Sequence, residues 1–313
     1  MPPVNATVIG GLGFAGKHLT KFLASKGYSP SVVANTAEDP PSVLTVRADI
    51  TNQQEVSRAF HELAPSHLYH LAAVSSPSGA SEQQRVAFDT NVWGTRNVCN
   101  ASLHLQPRPR ILNVSTSQVY MAQASAPLDE NAPTQPSNVY AATKLMAELW
   151  CEHYSSEIHI VTARSFNHTG PGQSDYFVVP YLARCVAEVE AGIVPPVIRV
   201  GDLKVERDFT DVRDVVRAYH LLMLHGMRGN IYNVCSGRCH RLSDLLDILL
   251  QLAGVKLRIE VDPARIPARQ PTRLWGDHAK LTGHTGWKPE IPIEQTLHDT
   301  LAYWRATIAE RAP

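Results

Sequence analysis

Three glycines near the start of the chain, Gly10, Gly13 and Gly16, follow each other at intervals of three residues. They lie between an apolar segment that predicts a strand (residues 4–10) and a segment that predicts a helix (residues 15–27). At such a junction the first glycine permits a tight turn, the second lets backbone N–H groups approach a pyrophosphate, and the third lets helix and strand pack closely. The spacing predicts a dinucleotide-binding loop, although these glycines alone would also fit an ordinary turn. The other residues expected to line a cofactor there are Leu12, Phe14 and Ala15.

Strand-like and helix-like segments alternate through the first half of the chain. Further strands are predicted at residues 31–35, 43–49 and 67–73, and the segment "RILNVST" predicts another. This alternation predicts an α/β fold with a Rossmann-type, doubly wound parallel sheet.

Proline and glycine interrupt this rhythm in the second half, at "NHTGPGQ" and "AGIVPPVIRVG". The chain of 313 residues is long enough for a second, smaller unit. We therefore predict a dinucleotide-binding domain at 1–166, to which 208–236 return. A smaller, partly interleaved substrate-binding domain is predicted at 167–207 and 237–313.

The composition excludes several classes of partner. Lys and Arg number 29, as do Asp and Glu, so no charge excess favours nucleic acid or an anionic membrane. No apolar run approaches the ~18 residues of a membrane-spanning helix, and the first residues do not resemble a secretory signal. Five scattered cysteines predict a reduced, cytoplasmic protein, and they give no metal-binding pattern.

The residue at the end of the second predicted strand helps to determine whether the cofactor is NAD(H) or NADP(H). An acid at this place binds the adenosine ribose of NAD(H), whereas here Asn35 stands at the end of "SVVAN". There is no carboxylate to repel a 2′-phosphate, and no arginine directly there to hold one. The sequence therefore leaves NADP(H) and NAD(H) both open, with a slight preference for NADP(H).

Tyr140 and Lys144 are four residues apart on a predicted helix, so both side chains project from one face. Reducing a ketone requires a hydride at carbon and a proton at oxygen, and a free phenol has a pKa of about 10. A cation about 4 Å away contributes roughly 4 kcal/mol at an effective dielectric of about 20. We therefore expect Lys144 to lower the pKa of Tyr140 towards neutrality and to bind the nicotinamide ribose. A buried aromatic beside a solvated lysine is the plainer alternative.

The strand before "QVY" ends in three hydroxyl side chains, Ser115, Thr116 and Ser117. A hydroxyl at this place can hold a carbonyl oxygen while negative charge develops on it. The spacing to the following Val119 and Tyr120 makes Thr116 the first choice for that role and for substrate contact. Ser115 and Ser117 are the substitutes, and Ser117 is also expected to contact substrate.

These motifs, with "ADI" at residues 48–50 and "LAAVS" at residues 71–75, resemble the extended short-chain dehydrogenase/reductases that act on nucleotide sugars. The resemblance covers nearly the whole chain. It implies that the adenine lies between Asp49 and Ile50, and that Ser75 contacts substrate. It also implies that the cofactor rests on Leu71, Ala72 and Ala73.

The second half is similar to the GDP-6-deoxy-D-mannose reductases within that family, at residues 164–173, 205–219, 232–237 and 284–305. The similarity implies that His168 lies near the nicotinamide, and that Asn167 and Arg207 contact the substrate diphosphate. A guanidinium suits a diphosphate because its fork donates two hydrogen bonds, although an arginine such as Arg207, taken singly, is more often a partner in a surface salt bridge.

One position departs from the family pattern. An arginine that reaches the substrate in many members is replaced here by Pro267, within "DPARIPARQPTR". Arg265, Arg269 or Arg273 is expected to take its place, and Arg269 is the first choice.

Gln118 limits which reactions of this family the chain can catalyse. In dehydratases of the family a glutamate in this segment removes the C5 proton of the sugar. An amide oxygen accepts hydrogen bonds but cannot take that proton at neutral pH. Gln118 therefore argues against 4,6-dehydration, and this holds even if its side chain only caps the strand end.

The resemblance implies an enzyme that uses NAD(P)H to reduce the 4-keto group of GDP-4-keto-6-deoxy-D-mannose, giving GDP-D-rhamnose. Two alternatives stay open: an NAD-dependent nucleotide-sugar 4-epimerase, and a catalytically silent dinucleotide-binding regulator. Leu145, Leu149 and Trp150 form an apolar stripe that predicts either a homodimer interface or ordinary core packing.

Overall fold

A computed structural model describes residues 5–36, 43–121, 126–266 and 272–311. The strands are β1 (Asn5–Ile9), β2 (Ser29–Ala34), β3 (Leu44–Arg47), β4 (His67–His70), β5 (Arg110–Thr116), β6 (Ile160–Ser165), β7 (Asn167–Thr169), β8 (Val197–Val200), β9 (Glu206–Asp211), β10 (Ile231–Val234), β11 (Cys239–Arg241), β12 (Arg258–Val261) and β13 (Arg273–Leu274). The α-helices are α1 (Phe14–Ser25), α2 (Gln53–Leu63), α3 (Pro77–Glu82), α4 (Gln84–Phe88), α5 (Gly94–Leu103), α6 (Val139–Tyr154), α7 (Val178–Glu190), α8 (Val212–His225), α9 (Leu242–Ala253), α10 (Ala279–Thr285) and α11 (Ile293–Arg311).

The central sheet has seven parallel strands in the order β10-β6-β5-β4-β1-β2-β3. The direction of chain progression reverses beside β1, which is the arrangement of a doubly wound nucleotide-binding sheet. The predicted Rossmann-type α/β fold is confirmed. The outermost strand, β10, comes from the second half of the chain and pairs with β6.

Apolar side chains cover both faces of this sheet. One face packs on α1 and α8 through residues such as Leu19 and Leu222. The other face packs on α2 and α5 through residues such as Phe60 and Val98. A side chain of this size contributes about 1.5–3 kcal/mol when fully buried, so the two layers hold the strand ends firmly in place.

Helix α6 shows how the local sequence positions functional groups. Asn138 caps its first turn by accepting a hydrogen bond from the backbone N–H of Ala141 at 2.9 Å. The buried positions then recur every three or four residues and include Ala141, Lys144 and Glu148. Two charged side chains therefore lie on the face that packs against the sheet.

A smaller layer lies beyond the central sheet. Strand β9 pairs with β7, β11 and β13, and β8 pairs with β12. Helices α7, α9 and α11 bury a core of their own that includes Leu182, Leu246 and Leu297. The segment 208–236, which was predicted to return to the first domain, therefore contains one strand of the central sheet, β10, and most of one strand of the smaller layer, β9. The domain boundaries stay a prediction.

No helix in the described part of the chain is long and apolar enough to cross a membrane. The five cysteines carry free thiols. Within the described ranges, no group of three or more His, Cys, Asp or Glu residues is placed to hold a metal ion.

Candidate active site

A cavity of about 1160 Å³ lies between the carboxyl ends of the parallel strands and the smaller layer. This is the edge at which open α/β sheets bind their ligands. The predicted cofactor residues that line it are Gly10, Leu12, Gly13, Phe14, Ala15, Gly16, Asn35, Asp49, Ile50, Leu71, Ala72, Ala73, Tyr140, Lys144 and His168. The predicted substrate residues that line it are Ser75, Thr116, Asn167 and Arg207.

One described residue among the predicted substrate contacts is not part of this lining. Ser117 is 2% exposed, in a short 3₁₀ turn after β5, and does not line the cavity. Its predicted contact with substrate stays a prediction. Arg269 and Pro267 lie outside the described residues.

The glycine loop leaves room for a phosphate group. Gly10 has a φ of +81°, and a Cβ there would lie 2.8 Å from the backbone nitrogen of Ala72. A Cβ on Gly16 would overlap the carbonyl oxygen of Gly10. Gly13 is the N-cap of α1 and provides no side-chain cap, so the first N–H groups of the helix are left for a ligand. The loop fits the pyrophosphate of a dinucleotide.

The catalytic candidates converge from two elements. Thr116 ends β5, and Tyr140 and Lys144 lie one turn apart on α6. The side chain of Thr116 lies close enough to the phenol of Tyr140 to lower its pKa. The Thr116 hydroxyl also accepts the backbone N–H of Gln118 at 3.2 Å. A hydroxyl, a phenol and an ammonium group thus line one end of the cavity.

The pKa of Tyr140 is not as expected from the sequence. Burial raises it to about 12, and the nearby side chain of Thr116 offsets only part of this effect. Burial also lowers the pKa of Lys144 to about 8. The expectation of a phenol near neutrality was wrong because burial opposes the phenolate more strongly than its surroundings stabilise it. At neutral pH Tyr140 carries its proton and Lys144 its charge.

A buried ion pair lies directly behind these groups. Arg164 on β6 donates to both carboxylate oxygens of Glu148, with its shortest contact at 2.7 Å. Both side chains are at most 6% exposed. Ser115 lines the cavity but donates its hydroxyl to Glu148, so it is engaged away from the substrate side. The negative charge of Glu148 also raises the pKa of Lys144.

One residue of this pair, Glu148, could have been found from the sequence by its spacing. Tyr140, Lys144 and Glu148 follow each other at steps of four, so they share a helix face. Arg164 gave no comparable signal, since its partner lies 16 residues away on a different element.

A second missed residue is Asn91. It lies in a π-helical turn, Asp89–Trp93, and is fully buried. Its side chain accepts the N–H of Val74 at 2.8 Å and donates to the hydroxyl of Thr143 at 2.9 Å. π-Helical turns occur frequently at functional sites. Asn91 therefore connects the loop after β4 to the helix that carries the tyrosine and lysine.

His168 closes the cavity beside the glycine loop. Its ring stacks on Phe14, with 6.1 Å between centroids and 6° between planes. Burial lowers the pKa of His168, and its Nδ1 lies 3.2 Å from the carbonyl oxygen of Phe166. The neighbouring Asn167 lines the same wall. This end of the cavity is therefore aromatic and uncharged at neutral pH.

Arg207 and Arg265 form a part of the cavity lining that is here named the outer wall. Arg207 donates to the carbonyl oxygens of Glu206, at 2.8 Å, and Thr272, at 3.4 Å. Among the described residues no carboxylate lies within ion-pair distance of it. Burial lowers its pKa, but the group remains charged at neutral pH. Arg207 is suited to an anionic ligand.

The two other arginine substitutes differ in placement. Arg265 lines the cavity, with its guanidinium 4.8 Å from the ring centre of Tyr181. Arg273 does not line it: the side chain packs 4.0 Å over Trp275 and pairs with Glu206 at 3.1 Å. Of the described pair, only Arg265 can reach a ligand in the cavity.

Gln118 lines the cavity and is held in position. Its side-chain oxygen accepts a hydrogen bond from Asn138, the cap of α6, at 3.0 Å. The oxygen is therefore already satisfied by a donor. A neutral amide, and no carboxylate, stands at this place.

The sequence model of one protein family, described as GDP-mannose 4,6 dehydratase, matches residues 7–300. The chain belongs to the GDP-mannose 4,6-dehydratase family. The match runs from β1 into α11, so both the cofactor part and the smaller layer of this family member are included.

Individual relatives of this family member are also reductases and epimerases. The chain is 36% identical to the GDP-6-deoxy-D-mannose reductase of Pseudomonas aeruginosa, over 97% of this chain and 98% of the relative. The structure of RMD from the same organism, complexed with NADPH, superposes with a TM-score of 0.86 at 34% identity, covering 97% and 100% of the two chains. The NAD complex of Thermus thermophilus UDP-glucose 4-epimerase gives 0.85 at 26% identity, covering 96% and 98%. The resemblance to the extended short-chain reductases of nucleotide sugars is confirmed.

Proposed function

We propose that this chain is an NAD(P)H-dependent reductase that converts GDP-4-keto-6-deoxy-D-mannose to GDP-D-rhamnose. The observation that carries the proposal is that Thr116, at the end of β5, and Tyr140 and Lys144, one turn apart on α6, line the same dinucleotide-sized cavity. The similarity to a reductase whose structure was solved with NADPH supports it.

The residues divide the reaction between them. A bound nicotinamide dinucleotide supplies the hydride that adds to C4 of the sugar. Tyr140 donates its proton to the ketone oxygen, so that the C=O group becomes CH–OH. With a pKa of about 12 the phenol is fully protonated at neutral pH, which suits a proton donor. The resulting phenolate is reprotonated before the next turnover.

Thr116 and Lys144 support that proton transfer. The hydroxyl of Thr116 can donate to the ketone oxygen as negative charge develops there. The ammonium of Lys144 stabilises the phenolate through its charge and is placed to hydrogen-bond the cofactor ribose. Asn91 contacts the hydroxyl of Thr143, the residue before Lys144, and so fixes the helix at this point.

The outer wall recognises the nucleotide. Arg207 lacks an ion-pair partner in the described part of the structure and can donate two hydrogen bonds to the diphosphate. Asn167 and Ser75 line the same cavity as Arg207 and Tyr140, and we expect them to contact the sugar nucleotide. Pro267 replaces a family arginine that reaches the substrate, and among the described residues Arg265 is suited to make that contact. The same contact by Arg269 stays a prediction.

The amide of Gln118 favours reduction over dehydration. It cannot take the C5 proton of a sugar, and its oxygen is occupied by Asn138. We therefore expect this member of the family to leave GDP-mannose unchanged, in spite of the family's name.

Incubation with GDP-4-keto-6-deoxy-D-mannose tests the proposal, with product identification by NMR and NADPH or NADH consumption measured in parallel. We expect one mole of reduced cofactor to be consumed for each mole of GDP-D-rhamnose. Interconversion of UDP-sugars without added cofactor would instead identify an epimerase. Cofactor binding without turnover of either substrate class would identify a silent binding protein.

We also infer a homodimer formed through α6 and the adjoining π-helical turn Asp89–Trp93. Leu149 is 59% and Met146 44% exposed, and Trp150 lies 6.2 Å from the half-exposed Trp93. Leu145, in contrast, packs into the core. Such exposed apolar groups on adjacent helices are typical of a protein interface. Sedimentation of wild type and Leu149→Glu tests this, since a dimer through this face should dissociate in the variant.

A cytoplasmic location is part of the same proposal. The five cysteines carry free thiols, and three of them, Cys99, Cys151 and Cys235, are buried. Free thiols in this number suit a reducing compartment. Fractionation of the producing cells, with the activity assayed in each fraction, tests the location.

A further inference from the structure

A second, smaller cavity of about 460 Å³ adjoins the adenosine end of the main cavity, and Asn35 and Asp49 line both. Its lining residues are Asn35, Arg47, Asp49, Glu55 and Arg58. We propose that Arg47 and Arg58 bind the 2′-phosphate of NADPH and make the chain prefer NADPH to NADH. The inference rests on the proposed function, because it assumes that a dinucleotide occupies the main cavity.

The sheet register places Arg47 beside the expected ribose. Strands β2 and β3 are parallel, and Arg47, the last residue of β3, lies opposite Ala34, the residue before Asn35. The side chain of Arg47 is exposed and lines the second cavity. Asn35 itself cannot hold a 2′-phosphate by charge, but Arg47 on the neighbouring strand stands beside it.

Arg58 reaches the same point from a different element. It lies on α2, and its Nη2 donates to the carbonyl oxygen of Arg47 at 3.4 Å. Within the described ranges, no carboxylate lies within ion-pair distance of either arginine. Two guanidinium groups thus share one small cavity, an arrangement that an anion stabilises.

The two carboxylates of this cavity are held by other donors. Glu55 accepts the N–H of Asp49 at 2.9 Å and the amide of Asn52 at 3.0 Å, one on each oxygen. Asp49 accepts the N–H and the hydroxyl of Thr51, both at 2.9 Å. Among the described residues, neither arginine fork is engaged by a carboxylate, and a phosphate matches their geometry because each fork can donate two hydrogen bonds. Asn35 contributes no negative charge that would repel it.

Ligand binding without any sugar substrate tests the proposal. Calorimetry would compare NADPH with NADH, and the fragment 2′,5′-ADP with 5′-AMP, on wild type, Arg47→Leu and Arg58→Leu. Arg108→Leu is the matched control, because Arg108 is exposed and precedes β5, at the amino ends of the parallel strands and away from both cavities. Each affinity would be measured at two salt concentrations.

We expect wild type to bind each 2′-phosphorylated ligand at least about tenfold more tightly than its partner, the factor that corresponds to about 1.4 kcal/mol. Each arginine variant should lose roughly that factor for NADPH and 2′,5′-ADP and leave NADH and 5′-AMP within about twofold. The preference should also weaken as salt rises. The control should behave as wild type.

Three outcomes would count against the proposal. Equal wild-type affinity for NADPH and NADH overturns the inference about the two arginines but does not contradict the proposed reductase function. Variants that lose NADH and NADPH binding equally also overturn it, since the arginines would then act on the common part of the cofactor. Wild-type protein that binds none of the four ligands would overturn both this inference and the proposed function.

Discussion

Arg164 and Glu148 form a bidentate ion pair beneath the cavity floor, with both side chains almost fully buried. The pair joins β6 to α6, and Arg164 also packs 4.7 Å over the ring of Tyr120. The hydroxyl of Tyr120 in turn donates to Asn233 on β10 at 2.7 Å. One charged network therefore holds the catalytic helix against two strands of the sheet.

Replacing Glu148 should affect both stability and catalysis. In Glu148→Gln the buried guanidinium loses its counter-charge, and breaking such a pair costs about 3–5 kcal/mol. Lys144 loses the negative charge that raises its pKa, so the alkaline limb of the rate profile should move to lower pH. Denaturant unfolding and a pH–rate profile measure the two effects. Glu152→Gln, an exposed position on the same helix, is the control; an unshifted limb in Glu148→Gln would show that the pair acts on stability alone.

Removing the phenol hydroxyl should abolish turnover and preserve binding. Tyr140→Phe keeps the ring but loses the proton donor, and we expect a fall in kcat of about 10²–10⁴-fold. Cofactor affinity, followed by fluorescence, should stay close to that of wild type. Tyr176→Phe is the control, since Tyr176 lines the cavity but is 59% exposed. Near-normal turnover in Tyr140→Phe would exclude Tyr140 as the donor.

The rate of reduction should fall at alkaline pH because of Lys144. Its pKa is lowered to about 8, so the ammonium is present below that pH and is lost above it. Tyr140 keeps its proton until about pH 12 and does not contribute a limb in this range. We expect kcat/KM to be level from pH 6 to about 7.5 and to decline above about pH 8. In Lys144→Arg the side chain stays charged, so any remaining activity should lack this decline. If the rate of the variant still declines at the same pH, the decline belongs to a different titrating group.

Arg207 should act on substrate binding more than on chemistry. Loss of its hydrogen bonds to the diphosphate in Arg207→Leu should raise KM for the GDP-sugar by about tenfold or more. The value of kcat and the affinity for the cofactor should change little. Arg207→Lys should recover only part of the loss, since an ammonium lacks the planar fork. The control is Arg199→Leu, at an exposed arginine on β8, and a fall in kcat with unchanged KM would contradict the role.

Much of this architecture was predictable because its signals are local. The glycine spacing at 10, 13 and 16 and the four-residue step from Tyr140 to Lys144 each lie within one turn or one helix. Strands of two or three residues, such as β7 and β13, are too short to show a periodic pattern, so the smaller layer was not resolved from the sequence.

The missing parts of the site depend on contacts between distant segments. Arg164 and Glu148 meet only because β6 passes α6, and Arg58 reaches Arg47 only when α2 packs beside β3. The pKa of Tyr140 follows from how completely the fold buries the phenol. Neighbouring charges can be expected from the spacing of residues, but the cost of burial becomes visible only in three dimensions.

The position of β10 has a consequence for how the chain is assembled during synthesis. Strand β6 ends at Ser165, and the strand that covers its free edge begins only at Ile231, after the chain has contributed β7, β8 and β9 elsewhere. A nascent chain that stops between these points exposes an open β edge, which is a site for mispairing. The first half is therefore not a detachable module, and a ribosome must extend the chain to Val234, about three quarters of its length, before the nucleotide-binding sheet is complete.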